Sequence, residues 1–105
     1  MALEFLHVGV PTTQQMPNET YMEPLKVYIT NPDDHPFKYE FLRYVPGTDM
    51  PRCITVEPHV AFKVDSMEEA LKFAQEDLYT IDLPDCLIKF VRVDGAILEL
   101  TEMKK

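Results

Sequence analysis

One short phrase is written twice in this chain, and the repetition limits the folds open to it. HVGV, from His7 to Val10, comes back as HVAF, from His59 to Phe62. Each is followed by a later strand-like segment with a glutamate inside it, YEFLRY around Glu40 and LELTEM around Glu99. A repeat of this kind outranks any single motif, because two half-units of one design bury equivalent faces in the same order. Two such halves suit this succession of histidine strand and glutamate strand better than one irregular sheet does.

Local patterning supplies the elements. Phe5, His7 and Gly9 alternate with Leu6, Val8 and Val10, the period of a strand, and Pro11 ends it. PTTQQMPNETYMEP has three prolines and no helical stripe, so loop or a short turn is expected there. LKVYIT and FKYEFLRYV read as two strands joined by the turn residues of NPDDHP, and CITVEPHVAFKV returns to strand character, interrupted at Pro58. At DSMEEALKFAQED the period lengthens to that of a helix: Met67, Ala70, Leu71 and Ala74 form a stripe, with Val60, Phe62 and Val64 as its nearest apolar partner. Ser66 and Glu69 have capping-box spacing. LYTIDLPDC is ambiguous. In LIKFVRVDGAILELTEM, Asp94-Gly95 signals a two-residue hairpin that sets Arg92 opposite Ile97, Val91 opposite Leu98 and Phe90 opposite Glu99. Phe90, Arg92 and Glu99 then share one side, and Val91, Val93, Leu98 and Leu100 the other.

Size and charge exclude several function classes. A chain of 105 residues buries one modest core and is expected to be a single domain. Ten Lys and Arg against eighteen Asp and Glu leave a net charge of −8, the wrong sign for gripping a phosphate backbone, so no nucleic-acid partner is expected. Apolar runs fall far short of the ~20 residues of a membrane span, and no basic segment leads into a hydrophobic signal core. No membrane partner is expected, and a cytoplasmic location is. Cys53 and Cys86 match no metal-ribbon spacing and read as buried thiols.

The repeated residues carry the chemistry. Alternation separates Glu40, with Lys38, Leu42 and Tyr44, from a strongly apolar side made by Phe37, Tyr39 and Phe41. Glu99 is likewise flanked by Leu98 and Leu100. His7, Glu40, His59 and Glu99 are thus able to point away from the most hydrophobic layer into one enclosed space. Two carboxylates meeting in a partly dry cavity repel each other and lose hydration, which a divalent cation offsets. Two imidazoles and two carboxylates suit Zn, Fe, Mn, Co or Ni, with positions left for water or substrate. Taken singly, a histidine in an apolar strand is more often a hydrogen-bonded structural residue, and a strand glutamate usually faces water. The repetition of both types in one order favours the metal. Arg92, Lys38 and Lys63 are candidates for a substrate carboxylate or phosphate, with solvated charge as the plainer alternative. His35, between Asp34 and Pro36, reads as solvated.

FLHVGVPT, YEFLRYVPG, HVAFKVDSMEEAL and DGAILELTEM together span nearly the whole chain, and in this order the sequence resembles the vicinal oxygen chelate superfamily. That group includes glyoxalase I, methylmalonyl-CoA epimerase, extradiol dioxygenases and bleomycin-resistance proteins. The resemblance implies an α+β fold of two βαβββ modules, about residues 1–52 and 53–105, forming an open curved barrel around a central cavity. The first module's helix is shortened or absent, since PTTQQMPNETYMEP cannot supply a regular one. His7, Glu40, His59 and Glu99 match the four metal-ligand positions, as in the glyoxalase and epimerase branches. The implied function is a metal-dependent lyase or isomerase acting on a small oxygenated substrate through a metal-stabilised enediolate, with Glu40 or Glu99 as the base and Phe90, Arg92 and Lys63 at the substrate. A homodimer is implied. The alternatives are a non-catalytic, ligand-sequestering dimer like the bleomycin-resistance proteins, or an iron-dependent extradiol dioxygenase.

Overall fold

A computed structural model describes every residue from Met1 to Lys105. The architecture is α+β, mostly strand with few short helices, and none of those helices is long and apolar enough to cross a membrane. Two compact units divide the chain. One is His7–Pro58; the other joins Met1–Leu6 to His59–Lys105.

The His7–Pro58 unit contains the later part of β1 (Leu3–Pro11), then β2 (Thr20–Met22), β3 (Val27–Ile29), β4 (Tyr39–Tyr44) and helix α1 (Arg52–Val56). β3 pairs antiparallel with both β2 and β4, while β4 pairs parallel with β1, Gly9 lying beside Glu40 and Val10 beside Phe41. Parallel neighbours require a long crossover, most often helical. Here the β2–β3 hairpin fills it, because the prolines between Pro11 and Pro24 deny a helix its amide donors. β2 itself was not expected. Its three residues are all exposed, so they carry no apolar alternation to read. Pro24 opens a 3-10 turn over Glu23–Leu25, which ends at Lys26 in the left-handed region, φ +51°.

The strand expected at CITVE is instead α1. Thr55 Oγ1 turns back to donate to the Arg52 carbonyl at 2.8 Å, and Glu57 N reaches the Cys53 carbonyl at 2.9 Å. Ile54 is fully buried, at 0% exposure. Burial of one side chain thus overrides the strand preference of the β-branched run Ile54, Thr55 and Val56. Val27, Leu42, Met50 and Ile54 are the buried apolar residues of this unit. Cys53 and Cys86 are free thiols, half-buried rather than buried.

The other unit contains β5 (His59–Val64), helix α2 (Met67–Ala70), β6 (Glu76–Asp82), β7 (Cys86–Val93) and β8 (Ala96–Met103). β5 is parallel to β8, β8 antiparallel to β7, and β7 antiparallel to β6. First strand beside last, in parallel, is therefore the rule in each unit. The Asp94-Gly95 turn has φ +50° and +91°, the positive pair that a two-residue hairpin demands. Its register is the expected one: Arg92 faces Ile97, Val91 faces Leu98, and Phe90 faces Glu99.

Ser66 caps α2 as expected, its hydroxyl accepting from Glu69 N at 3.2 Å, and the Glu102 carboxylate of β8 accepts from Met67 N at 2.6 Å. The helix is shorter than its sequence stripe, passing into a 3-10 turn at Leu71–Phe73 and leaving helical geometry by Ala74. Val64, Met67, Ala70, Val91 and Leu100 form the core beneath it, with Phe62, Leu71 and Ala74 packed at its edge. Of the three residues expected as the stripe's partner, Val64 and Phe62 belong to that cluster. β7 and β8 supply the rest. Of the ambiguous segment LYTIDLPDC, the part LYTID lies in β6 and Cys86 opens β7.

Candidate metal centre

Each unit holds one histidine–glutamate pair. In the first, His7 Nε2 lies 3.4 Å from Glu40 Oε1, with both side chains largely buried. In the second, His59 Nε2 lies 3.0 Å from Glu99 Oε1, within hydrogen-bond distance, and the His59 side chain is 1% exposed.

The register explains why each pair meets. On β5, His59 and Ala61 share a face, and Ala61 stands directly beside Glu99 of β8. On β1, His7 and Gly9 share a face, and Gly9 stands directly beside Glu40 of β4. In both cases the histidine is two residues before a very small one, and the glutamate is the small residue's lateral neighbour. Side-chain direction in adjacent parallel strands then puts imidazole and carboxylate on one face. A methyl group or a hydrogen at the intervening position leaves the carboxylate room to lean along the strand toward the ring. Ala61 is fully buried, and Gly9 is buried too. The signal for Gly9 and Ala61 is present in the sequence, since HVGV and HVAF spell the small residue at the same place.

The other named residues are placed as follows. Phe90 is 5% exposed, and its ring stands nearly perpendicular to that of His59, at 84° and 5.2 Å between centroids. An aromatic edge against an imidazole fixes the plane of the ring without supplying a competing ligand. Arg92, on the same side of β7 as Phe90, donates from Nη1 to the Gly95 carbonyl at 3.0 Å and lies 3.6 Å through Nε from Glu76. Lys63 is exposed near the end of β5 and borders a shallow hollow with Glu4 and Asp65. Lys38 is bound to Asp33 at 2.7 Å. His35 is not the solvated residue expected from the sequence. It is half-buried and stacked on Tyr39, at 4.5 Å between centroids and 5° between planes.

Chemically, each pair offers an imidazole nitrogen and a carboxylate oxygen, donor types that suit a divalent metal ion. No family model, curated protein or solved structure gives a match to this chain.

Proposed function

We propose that the two histidine–glutamate pairs serve one divalent metal centre. On this reading the chain is a metal-dependent lyase or isomerase of the glyoxalase and epimerase type, acting on a small oxygenated substrate. Its two units are then the two βαβββ-type modules of one vicinal oxygen chelate domain, curved around a common cavity, with the first module lacking its helix. The observation that carries the reading is the doubled register. The histidine recurs with the same small neighbour and the same glutamate in each half, as a shared ion that takes equivalent donors from both would require.

The donors suit the role. The 3.0 Å contact between His59 Nε2 and Glu99 Oε1 already sets an imidazole nitrogen and a carboxylate oxygen side by side, the two donor types a divalent ion takes. A bound divalent cation supplies Lewis-acid stabilisation of negative charge developing on a substrate oxygen. Glu40 and Glu99, each more than four-fifths buried, are the candidates to take a proton from the adjacent carbon. Phe90 keeps the His59 ring in position, and Arg92 and Lys63 are the cationic groups proposed for a substrate anion.

Calorimetric titration with Zn²⁺ and Ni²⁺ tests the proposal. One ion per chain is expected to bind. Glu99→Gln and His59→Ala are each expected to weaken binding tenfold or more. No stoichiometric binding, or equal affinity in folded variants, would overturn it. With metal bound, exchange of a substrate's carbon-bound proton with deuterated solvent separates the lyase or isomerase from a protein that only sequesters its ligand.

A further inference from the structure

The opposite face of β4 holds an aromatic cleft that the metal reading does not use. We propose that it is a binding site for a methylated ammonium cation. Tyr39 and Phe41 alternate with Glu40 and so present their rings to the other side of the strand. His35 stacks on Tyr39, and Phe41 stands edge-on to both, at 74° to Tyr39 and 70° to His35, with centroids 6.1 and 5.8 Å away. The three rings, with Met16 and Asp34, line a cleft of ≈ 220 Å³.

The walls are held in place without a ligand. Met16 N donates to Glu19 Oε2 at 3.1 Å, and Glu19 is gripped by Arg43 through Nε at 2.9 Å and Nη2 at 2.7 Å. The Arg43 guanidinium in turn lies 4.2 Å over the Tyr28 ring. His35 Nδ1 accepts from Phe37 N at 3.0 Å, which sets the plane of the imidazole. A cleft ordered in this way loses little conformational freedom on binding.

Charge and chemistry select the ligand class. Aromatic faces are negative, and a cation within about 6 Å of a ring centroid is attracted to them. The carboxylate of Asp34 has no ion-pair partner, since Lys38 in the same turn is committed to Asp33. The net charge of −8 favours a cation further. A primary ammonium needs several acceptors, but the Asn31 side-chain oxygen and Thr30 Oγ1 already accept from the backbone amides of Asp33 and Phe41. A methylated ammonium, weakly hydrated and without that requirement, fits the apolar, acidic cleft.

The probes are choline and its neutral carbon isostere 3,3-dimethyl-1-butanol, titrated into the full chain while backbone amide resonances are followed by NMR. Saturable shifts centred on residues 30–41 are expected with choline, with binding of the isostere weaker by roughly fivefold. Asp34→Asn and Tyr39→Leu are each expected to weaken choline binding about threefold or more. Asp34 is exposed and makes no ion pair, so Asp34→Asn tests the charge even if Tyr39→Leu fails to fold. Equal binding of the two probes, absence of saturable shifts, or unchanged affinity in Asp34→Asn would overturn the assignment. None of these outcomes depends on the metal centre.

Discussion

Replacing Ala61 with valine probes the arrangement of the second histidine–glutamate pair at its narrowest point. Ala61 is 0% exposed and lies directly beside Glu99, on the His59 face of β5. A valine there adds two methyl groups to a filled site, in the space that lets the carboxylate lean toward the imidazole. Overpacking of this kind costs about 1–3 kcal/mol, while the better strand propensity of valine returns less than about 1 kcal/mol. At about 4–8 °C per kcal/mol for a domain of this size, the melting temperature is expected to fall by roughly 5–15 °C. Thermal unfolding followed by circular dichroism measures that change. Competition with a chromophoric chelator is expected to show metal affinity falling by about tenfold or more, because the carboxylate loses its position. Val60→Ile, on the other face of β5 at a half-buried position, is the control and is expected to change neither quantity appreciably. An Ala61→Val protein with wild-type melting temperature and wild-type metal affinity would refute the claim that the small residue makes room for Glu99.

Ile54→Ala is expected to destabilise the chain by about 2–5 kcal/mol in urea unfolding, since the side chain that holds α1 in place is wholly buried. Hydrogen bonds from Arg43 hold the Glu19 carboxyl below its ordinary value of 4.5, partly opposed by desolvation. A carboxylate with a depressed folded value adds stability above 4.5, and that contribution disappears as pH falls through the folded value. The stability difference between the wild type and Glu19→Gln is therefore expected to shrink as urea unfolding is repeated at successively lower pH, starting above 4.5.

Much of the fold was legible where the relevant physics is local. The Asp94-Gly95 turn could be read to the residue, because positive φ at two successive positions is a property of the turn residues themselves. The Ser66 cap was equally clear, being a bond between groups three residues apart. The alternation of Tyr39, Phe41 and Glu40 placed the aromatic and acidic sides of β4 on opposite faces. Elements stabilised from elsewhere were not legible. The β2 strand exists through its partner β3, and α1 forms against the strand preference of its own residues because Ile54 is buried. His35 reads as solvated from its turn sequence, whereas it is half-buried and stacked on Tyr39.

The candidate site divides along the same line. The succession of histidine, small residue and distant glutamate in each half was present in the one-dimensional text, because a repeat preserves residue order whatever the folding. Which side chains touch was a matter of lateral register between strands that are remote in the chain. Only the pairing of β1 with β4 and of β5 with β8 set Gly9 beside Glu40 and Ala61 beside Glu99. Register between distant parallel strands depends on backbone hydrogen bonds and on the burial of whole faces, and neither is encoded in any local stretch of residues.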